Sequence, residues 1–83
     1  HVIYAIIASM DRLEAWRLFV RVAEAGAFSR AAASLGLTQP QASRAIAALE
    51  AQTGARLFLR TTRRVTLTEA GERALTRARA LLE

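Results

Sequence analysis

Two clusters in this chain carry side chains with chemistry to offer. One is Gln39, Pro40, Gln41, Ser43 and Arg44 at the front of a helical segment; the other is Arg60, Arg63 and Arg64, three arginines within five positions. Arginine donates two hydrogen bonds to guanine O6 and N7, glutamine pairs with the adenine edge, and an apolar ring can touch a thymine methyl. Free N–H groups at a helix start favour a phosphate. A helix with these groups in its first two turns suits the major groove of DNA, about 12 Å wide, where the residues near the helix N-terminus reach deepest. Loop arginines suit the narrow, negative minor groove. Arg60 and Thr61 suit phosphates instead, which position a protein without reading sequence. The plain alternatives are an amphipathic helix with a solvated polar end and a solvated loop that keeps an edge hairpin soluble. The elements that carry the two clusters must decide.

Composition narrows the classes. A chain of 83 residues supports one small domain with a thin core. The formal net charge is +5 and every one of the twelve basic residues is arginine. Such a balance suits a polyanion, nucleic acid or membrane surface, although joint enrichment in alanine and arginine also follows from a GC-rich genome. There is no cysteine and a single histidine, His1, so disulfides, thiolate metal sites and histidine chemistry find no residues here. Neither a metal nor a cofactor is expected. Seven carboxylates are scattered without a nucleophile–base pair or a Gly-rich phosphate loop, and an enzyme is the weakest reading. The apolar run from Val2 to Ala8 is too short to span a bilayer and lacks a signal peptide's basic start. No membrane partner is expected, and the location is read as cytoplasmic. Residues 1–9 read as an upstream extension before Met10, or else as a short element that packs on the domain.

The pattern predicts helix, helix, helix, hairpin, helix. A first helix over about 11–25 has Leu13, Trp16, Val20 and Ala23 at helical spacing with Phe19 beside them, an Asp11/Glu14 capping box and a stop at Gly26. A second, over 30–35, runs from a Ser29 cap to Gly36. The third starts at a Thr38 cap with Gln41 three positions on and Pro40 in its first turn, and it ends at Gly54. At about 100° per residue, Ala42, Ile46, Leu49 and Thr53 form its core stripe, while Pro40, Arg44, Ala47 and Ala51 lie opposite. Helix, "GLT" and helix make a helix–turn–helix, with Gly36 at positive φ and Leu37 packed between the two. Leu57–Leu59 and Val65–Leu67 read as short strands joined by "RTTRR", a wing. Thr68 caps a last helix over 69–82, where Gly71 marks the close approach of another backbone.

The stretches "AFSRAA", "LTQPQASR", "LE…TGARLF.R" and "LTEAG" resemble the N-terminal DNA-binding domain of LysR-type transcriptional regulators over about residues 10–83. The resemblance implies a mainly α fold, a winged helix-turn-helix of three helices plus a two-stranded wing (10–67), followed by a linker helix (68–83). It implies double-stranded DNA as partner, read at dyad sites by dimers or tetramers. Gln39, Pro40, Ser43 and Arg44 match the family's base-contacting positions and Arg63 its wing position, with Arg60, Thr61 and Arg64 as neighbours. Ser29, Arg30 and Thr38 match positions that meet phosphate. Two departures stand out. Ala45, Ala47 and Ala48 occupy places where many members carry polar or basic residues. The family's effector-binding domain, the only route to a small-molecule effector, has no counterpart before Glu83, which reads as a truncation or else as a standalone relative.

Leu75, Ala78 and Leu82 form one stripe on the last helix, with Ala74 and Leu81 beside it. They predict a homodimer through this helix with help from Trp16; the alternative is that the stripe packs on its own domain's core. The rivals to this reading are another class of winged-helix regulator and, from a different class, a winged-helix protein-interaction module that binds no DNA.

Overall fold

The computed structural model describes residues 12–61 and 64–82. Helix α1 spans Arg12–Ala25, α2 Phe28–Ser34 and α3 Gln39–Thr53. Strands β1 (Phe58–Arg60) and β2 (Val65–Leu67) pair antiparallel, Phe58 with Leu67 and Arg60 with Val65, and α4 spans Glu69–Leu82. Among the described residues there are therefore four helices and one two-stranded sheet, in the order expected. No described helix is long and apolar enough to cross a membrane.

Helix α1 is the central post: it packs on α2, α3, α4 and β2. Its buried face is Leu18, Phe19 and Val22, all 1% exposed or less. This corrects the stripe expected from spacing. Leu13 is 44% exposed, and Trp16, Val20 and Ala23 lie only half-buried on the flank of the core. A helix covered on several sides presents more than one plausible apolar stripe, so period alone does not fix which one points inward. The Asp11 cap lies outside the described residues.

The second helix begins earlier than expected. Ala27 is its N-cap and makes no side-chain cap, so Ser29 falls inside the first turn. Phe28 explains the shift, because the helix starts where this ring can be buried at 6% exposure. Full burial of such a side chain contributes roughly 1.5–3 kcal/mol, against about 1 kcal/mol for a serine cap. The turn that follows closes as a Schellman motif: the Leu37 N–H donates to the Ala32 carbonyl at 2.8 Å, the Gly36 N–H donates to Ala33, and Gly36 takes φ 71°. Leu37 packs against the core as anticipated.

Helix α3 has the expected capping box. The Gln41 N–H donates to Thr38 Oγ1 at 3.2 Å and the Thr38 N–H to Gln41 Oε1 at 2.8 Å. Ala42, Ile46 and Leu49 are buried, but Thr53 is exposed and donates to the Glu50 carbonyl. Ala45 takes its place in the core at 4% exposure. Ala45 is thus no missing polar contact, because it faces inward.

One carboxylate, half-buried, sets the start of the hairpin. Glu50 Oε2 accepts from the backbone N–H groups of Leu57 at 2.7 Å and Phe58 at 3.2 Å. Leu57 lies just ahead of the ladder and Phe58 opens it, and both N–H groups would otherwise be unsatisfied next to the core. The first strand is accordingly 58–60, one residue later than expected, with Leu57 buried at 2% exposure.

Candidate nucleic-acid interface

The front of α3 is open. Gln39, Pro40, Gln41 and Arg44 are exposed and Ser43 is half-buried. Their arrangement follows from the cap, which fixes the first turn, and from Ala42, Ala45 and Ile46, which anchor the other side. Gln41 divides its duties: its amide oxygen serves the cap, leaving its NH2 group outward. Thr38 Oγ1 accepts in the same box, so its O–H is the part that can donate to a phosphate. Ser29 and Arg30 are exposed in the first turn of α2.

The wing is joined to this helix by one side chain. Arg60, at the end of β1, donates from Nη1 to Ser43 Oγ at 3.2 Å, and its guanidinium lies 4.3 Å above the Phe28 ring centroid. One residue thus ties β1, α2 and α3 together at the two expected clusters. Beyond it the hairpin closes between Thr61 and Arg64. The Thr61 N–H donates to the Arg64 carbonyl at 2.9 Å, and Thr61 Oγ1 accepts from the Arg64 N–H at 3.0 Å. Arg63, the expected wing residue, lies outside the described residues.

Among the described residues the ion pairs are Arg73–Glu69 and Arg79–Glu24, each 3.3 Å and solvent-exposed. Arg30, Arg44, Arg60 and Arg64 belong to neither of these pairs, and their exposed positive charge favours an anionic partner. Sequence reasoning gave Phe28 and Glu50 no role. Their signal lay in "AFSRAA" and "LE…TGARLF.R", where the structure places a ring under Arg60 and a carboxylate on the strand entrance.

The stripe on α4 divides. Ala78 is 3% exposed within its own domain's core, with Ala74 and Leu75 packed beside it, which corrects its assignment to a dimer face. The domain is small enough that α1 and Leu57 cover this part of the helix. Leu81 is 77% exposed, and Leu82 and Trp16 are half-buried. Trp16 and Leu81 border an open groove of about 370 Å³ floored by Leu57, Ala74 and Ala78.

A family model described as "Bacterial regulatory helix-turn-helix protein, lysR family" matches residues 13–72. The HTH-type transcriptional regulator YhjC of Escherichia coli K12 is 48% identical over 73 residues, 88% of this chain and 24% of that protein. An HTH-type transcriptional regulator from the ibpB-leuC intergenic region of Azotobacter vinelandii is 55% identical over 64 residues, 77% of this chain and 44% of its own length. The chain thus spans less than half the length of these curated relatives. Among solved structures, the CbnR DNA-binding domain in complex with DNA matches with a TM-score of 0.83 and 39% identity, covering 87% of this chain and 83% of that one. The BenM DNA-binding domain on a catB site matches at 0.82 and 38%, covering 87% and 80%. By this match over most of its length and these identities, the chain belongs to the LysR family of bacterial regulatory helix–turn–helix proteins.

Proposed function

We propose that this domain binds double-stranded DNA sequence-specifically as part of a bacterial transcriptional regulator, acting as a homodimer on dyad sites. Helix α3 enters the major groove, with Gln39, Pro40, Ser43, Arg44 and the amide nitrogen of Gln41 toward base edges. Arg63 on the wing enters the minor groove. Ser29, Arg30, Thr38, Thr61 and Arg64 meet phosphates, and the arginines release counterions, which makes the affinity salt-dependent. Trp16, Leu81 and Leu82 border the surface on which α4 of a second copy packs. A small-molecule effector would act through a separate domain.

The single observation that carries this reading is the Arg60–Ser43 bond, which supports a wing and a helix front that lie side by side. The DNA complexes of the CbnR and BenM domains support the partner. Selection of bound sites from random duplexes tests it, and the expected result is a dyad of fixed spacing. On the selected duplex, Arg44→Ala should cost roughly 1–3 kcal/mol and relax one or two base pairs. Equal loss on selected and random DNA removes Arg44 as a reader.

A further inference from the structure

We propose that Arg60 is a positioning residue: it orients the Ser43 hydroxyl as a hydrogen-bond donor, and so makes α3 prefer a base edge that presents an acceptor. The inference rests on the reading of α3 as the base-reading helix.

Arg60 differs from its neighbours in being engaged on two sides. One face of its guanidinium covers Phe28 at 4.3 Å, and one edge reaches Ser43 Oγ at 3.2 Å. The ring beneath it is itself fixed. Phe28 is 6% exposed and meets Phe58 edge-on at 5.9 Å, and Phe58 meets Phe19 at 5.2 Å. Phe58 and Arg60 are two residues apart on β1, so both project from the same side of the strand. The stacked rings therefore set where the guanidinium sits, and a guanidinium can stack and donate in-plane at once, which an ammonium cannot.

The consequence falls on Ser43. A hydroxyl has one O–H donor and two acceptor lone pairs. With a cationic donor on one lone pair, its proton turns away from Arg60 toward the open front of α3. In a major groove such a donor fits guanine N7 or O6, adenine N7 or thymine O4, and it opposes the cytosine amino group. Arg60 thereby sets base preference through another side chain rather than through a phosphate.

Site selection and binding titrations at several salt concentrations test this on the wild type, Arg60→Met, Arg60→Lys, Ser43→Ala and the Arg60→Met/Ser43→Ala pair, with circular dichroism to verify folding. Arg60→Met and Ser43→Ala should each weaken the selected site roughly tenfold and relax the same base pair, admitting cytosine there. The double variant should bind no more than about twofold below the weaker single one. The salt slope of Arg60→Met should match the wild type. Arg60→Lys keeps the charge and the stem, yet should lose the preference as Met does. A slope lowered by about 0.9 with base preference intact would make Arg60 an ordinary phosphate contact and overturn the proposal. Retained preference in Arg60→Lys, or additive losses in the double variant, also overturns it. If the wild type selects a defined site that Ser43→Ala reads identically, this inference fails while the DNA-binding function stands; if the wild type selects no site, that function fails and this falls with it.

Discussion

Helices α3 and α4 both open on a threonine whose side-chain oxygen accepts from the N–H three residues on, Thr38 from Gln41 at 3.2 Å and Thr68 from Gly71 at 2.9 Å. The same local device has opposite fates. At α4 every remaining polar group of the cap is committed inside the domain. Thr68 Oγ1 also donates to the Arg56 carbonyl, and its N–H donates to the Leu57 carbonyl at 3.0 Å. Gly71 lies so near that carbonyl that a Cβ would fall on its oxygen. At α3 the partner is an exposed glutamine, the residue just before it is a proline, and the threonine O–H faces solvent. One helix start is a joint and the other a surface, and what separates them is whether another strand of backbone lies across them.

That contrast can be broken from the joint outward. Gly71→Ala should have the largest effect, about 3 kcal/mol of lost stability, because backbone atoms cannot yield to a new methyl as a flexible side chain would. An unchanged urea midpoint would mean that Leu57 and α4 are not in contact. Thr68→Ala removes the cap and the bond to Arg56 together and should cost about 2 kcal/mol, at the upper end for a cap. Its affinity for the selected DNA, measured below the unfolding transition, should be unaltered. Thr38→Ala should cost only about 1 kcal/mol in stability and should weaken DNA binding as well, with Thr38→Ser restoring both. If the alanine variant binds DNA as the wild type does, α3 is capped but not in use at that position. The smallest effect belongs to Arg73→Ala on α4. Its i,i+4 pair with Glu69 is solvent-exposed, and the loss should stay under about 0.5 kcal/mol and vanish at high salt.

Much of the fold was legible because its punctuation is local. Gly26, Gly36 and Gly54 each take a positive φ near 70°, and each ends a helix at or next to the position their spacing suggested. The candidate site was legible for the same reason. Thr38, Gln41 and Pro40 announce a helix start, and the polar run behind them has no core to enter. Misreadings arose where distant partners chose. Ser29 was a sound cap locally, but a buried Phe28 one residue earlier prevailed. Ala78 lay on an apolar stripe that its own domain, not a second copy, covers.

The amino-acid order alone settled the order of the described elements, the Thr38 and Thr68 caps, the glycine stops, and the family's motifs, since each depends on residues within a few positions of one another and on energies near 1 kcal/mol apiece. Only the packed molecule settled which side of α1 turns inward, why Ala45 is small, what Glu50 holds, and that Arg60 spans Phe28 and Ser43. Those outcomes join segments 7 to 32 residues apart in the chain. Burial and hydrogen bonding among such segments are decided together, at the moment the core closes, and no single stretch contains the information.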